Sequence, residues 1–331
     1  MHAPACRSVA LLAAALSFAA CATTPPSENP AALETGASAA PPSTSGAPKE
    51  PDPAVLPGQG KSFLYQNLKS WTDAWIQAYA GPGGANADEA RSLETAIARE
   101  TWARFDEVLQ DLKESPNPRW RTAAARGLGF VSNPRVVPAL QQALGDADAF
   151  VLAAALVSLA RIADVHTDDP AVGRLLTYPD KFVQGNAALC LARVFLARRQ
   201  QALPPVEPPA RAASLEADLR VLLFDTEDPI LRADAAQALG GLGSPGAEEA
   251  LLNRIRDDHP LVRLKVAQSL SYAGTAKSLD GLVDALGREG EKNVQVMLAL
   301  ALGSIVERGG RTPPLSDLGT DAGRWRQWLK K

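Results

Sequence analysis

Asp228-Pro-Ile-Leu-Arg232-Ala-Asp-Ala-Ala236-Gln-Ala-Leu-Gly240 is the stretch on which the reading of this chain turns. An aspartate caps the free N–H groups of a helix's first turn, and the proline after it suits the first helical position, where an N–H would be orphaned anyway. A negative charge at that end also suits the helix dipole. Leu239, with Ala235 and Ala236 four and three residues before it, forms the stripe of a helix buried on one face.

Outward from this stretch the same pattern recurs at a period of 31 to 32 residues. The openers are Asn117-Pro118, Asp148-Ala149, Asp180-Lys181, Asp228-Pro229, His259-Pro260 and Glu291-Lys292. Each leads to a leucine eleven residues past its cap: Leu128, Leu159, Leu191, Leu239, Leu270 and Leu302. The residue before the leucine is always small, namely Gly127, Ser158, Cys190, Ala238, Ser269 or Ala301, so a neighbouring helix can approach closely. Shorter second helices are predicted over 134–144, 170–177, 213–224, 246–256 and 276–287, after turns that carry Gly, Pro or Asn. Short connections force antiparallel hairpins, and a single hairpin cannot bury its own face, so the hairpins must stack.

One leucine interval is 48 residues long, and the excess is placed at 197–212, around Leu203-Pro-Pro-Val-Glu-Pro-Pro209. Proline at that density forbids helix, which predicts a loop between the two helices of the third repeat. A helix over 62–79 with Leu64, Leu68, Trp71 and Trp75 on one stripe, and one or two more marked by Leu93, Ile97, Phe105, Leu109 and Leu112, read as a cap over 61–116. Trp325, Trp328 and Leu329 mark a second cap within 310–331.

With these columns in place, the chain from Trp102 to Lys331 resembles HEAT repeats, in particular the bacterial group related to phycobilisome lyases. Residues 228–240 resemble the core pattern almost position for position, and 117–129 and 259–271 follow it closely. The resemblance implies an all-α fold, a right-handed α-α superhelix with repeats over 117–309. It also implies that Arg121, Arg232 and Arg263 pair with acids of adjacent repeats. Leu152, Gln184 and Gln295 hold the same slot elsewhere, so the ladder is expected to be interrupted.

The N-terminus speaks to compartment. Arg7 precedes an apolar run from Val9 to Ala20, too short to span a bilayer as a stable helix, which reads as an export signal over 1–20. Phe18-Ala-Ala-Cys21 resembles the lipobox of bacterial lipoproteins, with Phe18 where that family prefers Leu. The resemblance implies lipidation of Cys21 with fatty acyl chains such as palmitate, and Ala22 after it implies outer-membrane sorting with the folded body in the periplasm. Ordinary signal peptidase cleavage after Ala22 is the competing reading. Residues 21–60 then form a Pro/Ala/Ser-rich tether expected to be disordered, reaching roughly 35 Å as a coil.

The chain has 34 Lys and Arg against 37 Asp and Glu, which argues against a nucleic-acid surface. Gly241-Leu-Gly-Ser-Pro-Gly246 satisfies G-x-G-x-x-G but follows a helix instead of a strand, so it reads as a hairpin turn. His166 and His259 form no metal-ligand cluster, Cys190 reads as a small buried residue, and Glu248-Glu249 sits on exposed helix. No catalytic, cofactor or metal residue is assigned and no small-molecule substrate is expected. In HEAT-like proteins the second helices line the concave face, and here they carry Arg174, Glu216, Arg220, Glu248, Glu249, Arg256, Lys277, Asp280, Asp284 and Arg288. Mixed charge suits a protein or peptide partner. The expectation is a non-enzymatic envelope scaffold. A bilin-lyase-like or other HEAT-fold enzyme and a purely structural envelope protein are the alternatives, and export argues against the lyase because bilin attachment is cytoplasmic.

Overall fold

The computed structural model describes residues 60–80, 86–204 and 206–331. The export signal, Cys21 and the tether up to residue 59 lie outside the described residues. The chain divides into two compact units, 1–100 and 101–331. Helices are α1 (Lys61–Ala80), α2 (Ala87–Ala103), α3 (Phe105–Glu114), α4 (Pro118–Leu128), α5 (Val136–Ala143), α6 (Ala149–Ile162), α7 (Asp169–Gly173) and α8 (Lys181–Gln200). They continue as α9 (Pro209–Phe224), α10 (Pro229–Leu242), α11 (Ala247–Arg254), α12 (Pro260–Ala273), α13 (Leu279–Leu286), α14 (Lys292–Arg308), α15 (Leu315–Leu318) and α16 (Ala322–Leu329). Among the described residues there is no strand, and no helix is long and apolar enough to cross a membrane.

In the first unit, Leu64, Leu68 and Trp75 are buried and the Trp75 indole donates to Glu94 at 3.0 Å, joining α1 to α2. Trp71, on the same expected stripe, is only half-buried.

In the second unit the first helices α4, α6, α8, α10, α12 and α14 pack each on the next, and α5, α9, α11 and α13 lean back on the first helix that follows. This is an α-solenoid. The openers act as expected: Asn117, Asp148, Asp180 and Asp228 accept backbone N–H groups of their first turns. His259 does so through Nδ1, at 3.2 Å from the Leu261 N–H, whereas the Glu291 side chain makes no such bond. All six column leucines are at most 1% exposed, and each such burial stabilises by roughly 1.5–3 kcal/mol. Ser158 and Ser269 donate across the interface to Ala125 O and Ala236 O, at 2.8 and 3.0 Å. A Cβ added to Gly240 would lie 2.5 Å from the Ser269 Cβ, so helix contact there is as close as the small-residue column required.

Two expectations are corrected. The non-helical insertion is 201–208, not 197–212. Arg198 and Arg199 extend α8, since cations suit a helix C-terminus, and Pro209 serves as the first residue of α9. The second helix of repeat two, expected over 170–177, is a single turn followed by a 3-10 turn over Arg174–Thr177. At the C-terminus α16 packs on α13, with Trp325 fully buried and its indole donating to Gly319 O at 3.0 Å.

Candidate partner-binding surface

The arginines and the residues that open each repeat set the relative positions of the hairpins. Arg232 donates through Nε and Nη2 to both oxygens of Asp257, at 3.0 and 2.8 Å, and through Nη1 to Thr226 O at 3.1 Å. Arg121 does the same with Asp146 (2.7 and 2.9 Å) and Ser115 O (2.8 Å). Arg263 does so with Glu289 (2.7 and 2.9 Å) and Asp257 O (2.9 Å). The acid is therefore supplied by the turn that closes the arginine's own repeat, two residues before the next opener. From there it also accepts the opener's N–H: Asp148 N on Asp146, His259 N on Asp257 and Glu291 N on Glu289, each at 2.9 Å. Each arginine thus ties the junction before its repeat, through a carbonyl, to the junction after it, through a carboxylate.

Where the ladder is interrupted, half of this device survives. Gln184 and Gln295 donate to Tyr178 O and Glu289 O at 2.7 and 2.6 Å, the same carbonyl position that the arginines use. The acid slot of repeat three holds Thr226, whose hydroxyl accepts the Asp228 N–H at 3.2 Å. In repeat two both slots lose the pairing, with a buried Leu152 and a Tyr178. Burial pushes the Asp146, Asp257 and Glu289 carboxyls up, but the arginine hydrogen bonds and the opener N–H groups hold all three below the ordinary carboxylate range.

Of the second-helix residues proposed as a binding face, several are engaged within the stack. Glu248 is half-buried, not freely exposed: it accepts from Thr275 N at 2.7 Å, Thr275 Oγ1 at 2.9 Å and Ser278 Oγ, tying α11 to the following repeat. Burial alone would push its carboxyl up; these donors hold it low. Glu216 pairs with Arg220 at 3.6 Å, and Arg220 donates to Gly246 O at 3.4 Å. The Glu216 carboxylate fills the place that a side chain at Gly246 would take, which is the position Ser278 occupies one repeat later. Asp284 bonds Arg326 of α16. Arg174, Glu249, Arg256, Lys277, Asp280 and Arg288 are exposed, but only Glu249 and Asp280 lie on second helices: Arg174 and Lys277 sit in 3-10 turns, and Arg256 and Arg288 in the turns after α11 and α13.

Among the residues given no role in the sequence, Cys190 is buried and its thiol is pushed up to about 12 by that burial, while His166 is exposed. Sequence reasoning missed a polar cluster on the first helices. Asp234 on α10 and Lys265 on α12 are each 2% exposed, and Gln237 donates to Gln268 at 3.1 Å. Burial pushes the Asp234 carboxyl up to about 7 and the Lys265 amine down to about 8, each countered by the charge of the other. It also missed Arg326 and the acid column, for which an acid two residues before an opener was the available signal.

Stacked helical hairpins joined by such junctions define an α-solenoid repeat protein. Residues 105–192 and 216–309, more than half of the chain, match the HEAT repeats family, and the protein belongs to that family. Among solved structures, the chain is similar to an engineered protein at 18% identity, over 83% of this chain and 87% of that one, with a TM-score of 0.49. It is also similar to the CpcE–CpcF complex of phycocyanin lyase from Nostoc sp., at 16% identity over 86% and 99% of the two chains and a TM-score of 0.41. A designed armadillo repeat protein is similar at 20% identity over 60% and 98%, with a TM-score of 0.45. No curated protein matches the sequence.

Proposed function

We propose that this protein is a non-enzymatic scaffold of the bacterial cell envelope, lipid-anchored through Cys21 and binding a protein partner along its second helices. The observation that carries the reading is the division of labour within the stack. The arginine–acid rungs and the Arg220 and Glu248 ties hold successive hairpins together. Arg174, Glu249, Arg256, Lys277, Asp280 and Arg288 remain exposed on the second helices and in the turns that flank them as a mixed-charge surface, which is the kind of surface that selects a partner by complementarity. The anchor rests on the export signal and the lipobox-like sequence ending at Cys21.

Two measurements test the two halves. Cys21→Ala is expected to move the protein from membrane to soluble fractions; unchanged partitioning sinks the lipid anchor. A photo-crosslinking residue at Lys277 or Arg174 is expected to yield discrete adducts in cells that one at Phe150, an exposed first-helix position, does not. Equal labelling from both faces, or none from the second helices, counts against a partner face.

A further inference from the structure

Arg256 and Arg288 occupy equivalent places in successive repeats, each the residue just before the acid of a rung, Asp257 and Glu289. The acid is turned in to its arginine, so the residue before it is turned out, and both arginines are exposed. Arg326 reaches the same edge from α16 and is held there by Asp284 of α13. The bond from Arg326, with the nearby charges of Arg256 and Arg288, holds the Asp284 carboxyl below its ordinary range. Arg326 therefore bonds the Asp284 carboxylate at the C-terminal edge of the stack, with Arg256 and Arg288 near enough for their charges to bear on it. Arg256 also lines an open cleft of about 390 Å³ that runs back to Arg232 and Asp257.

We propose that this edge is a docking site for an extended acidic segment of a partner protein, seated on Arg256, Arg288 and Arg326. The inference deepens the partner-binding reading and rests on it. Helices of adjacent repeats lie about 8–10 Å apart, and an extended chain advances about 3.3 Å per residue, so carboxylates three residues apart match the spacing of register-equivalent arginines. A continuous polyanion fits less well, because the exposed acids Glu249 and Asp280 of the second helices, and Asp258 in the junction between them, punctuate this surface. Separate carboxylates can seat between such acids, whereas a phosphate backbone or an anionic bilayer meets them all. Asp284 occupies part of the site as an internal competitor.

The test uses the full chain and a labelled peptide, Glu-Gly-Gly-Glu-Gly-Gly-Glu, read by fluorescence anisotropy at low and physiological salt. Binding that weakens with salt is expected, with a preference over the isomer whose three glutamates are contiguous. Reversing both charges in an Arg256→Glu, Arg288→Glu double variant is expected to weaken it by about tenfold or more while the melting curve stays that of the wild type. Asp284→Asn, which removes the competing carboxylate, is expected to tighten binding by a few fold, a direction that loss of a merely structural ion pair does not produce. The proposal is overturned by a double variant that binds as the wild type does, by an Asp284→Asn variant that binds no better, or by phosphatidylglycerol vesicles that bind as tightly through the same arginines. If the double variant retains the partner crosslinked from Lys277, this site fails and the scaffold reading stands. If no partner crosslinks anywhere but the spaced peptide still binds through these arginines, the scaffold reading fails and the site stands.

Discussion

In the fourth repeat Arg232 reaches both ends of its hairpin, taking the Thr226 carbonyl behind it and the Asp257 carboxylate ahead, whereas in the third repeat Gln184 reaches only the carbonyl of Tyr178. The two repeats differ in the acid slot as well, Asp257 against Thr226, and in length, since the third carries the insertion over 201–208. An arginine fork needs a carboxylate at a fixed distance, and Asp257 is fully buried at that distance. A glutamine is content with a single carbonyl. In place of a rung, repeat three has the long α8, whose buried face runs from Val183 to Phe195 and packs on both α6 and α10. Its extra turns send Arg199 past Gly243, which has no side chain to block it, to the Tyr272 carbonyl two repeats on. The solenoid is thus joined by an arginine rung in one place and, in the next, by added apolar length together with the pairs of Arg198 and Arg211 with the buried Asp169.

Removing Arg232 is the harshest way to break this comparison. Arg232→Ala leaves the buried Asp257 carboxylate only the more distant Arg254, at 3.5 Å, as a cationic partner and is expected to cost about 3–5 kcal/mol in chemical denaturation; a loss below 1 kcal/mol refutes the rung as a structural element. Leu239→Ala removes a fully buried side chain common to both repeats and is expected to cost roughly 2–5 kcal/mol by the same measurement; an unchanged melting curve means that the buried column is misplaced. Building a rung where there is none sharpens the contrast. In a double-mutant cycle, Gln184→Arg with Thr226→Asp is expected to show favourable coupling on the order of 1–3 kcal/mol, and strictly additive singles argue that the insertion has moved the two slots apart. Gln184→Ala alone is expected to cost about 0.5–1.5 kcal/mol, one neutral hydrogen bond.

Acid titration reads the ladder as a whole. The Asp146, Asp257 and Glu289 carboxyls lie below their ordinary values in the folded protein, so their contribution is complete above about pH 4–5 and is lost as pH falls through the folded values. Asp234 has the opposite sign: its carboxyl lies at about 7 when folded, so protonation below that value favours the fold. Stability is therefore expected to change little or rise slightly between pH 7 and 5 and to fall below 4. An Asp234→Asn variant is expected to lose the rise and keep the fall; a variant whose pH curve matches the wild type's removes Asp234 from this account.

The hairpin stack was legible because each repeat pairs a capping residue with a leucine eleven positions on, and both do locally what their chemistry dictates. The arginine column was legible too, and so was its interruption. Its partners were not: Asp146, Asp257 and Glu289 lie in turns, where an acid reads as an ordinary solvated residue until the return of the chain brings a guanidinium 25 or 26 residues away against it. For the same reason Glu248 read as a surface residue, although the next hairpin brings three donors to it. The ends of the insertion were misjudged because proline density marks where helix cannot run but not how far flanking helices extend toward it.

What the sequence determined by itself was the repeat: its period, its caps, its buried stripe and the break in its third unit, all set by interactions within about a dozen residues. What only the tertiary structure decided was which polar residues hold the stack together and which stay free to face a partner. That division depends on distances between hairpins. Two acids of identical type, Asp257 and Asp258, stand side by side in the chain and both accept from Arg232, yet one side chain is fully buried and the other 88% exposed.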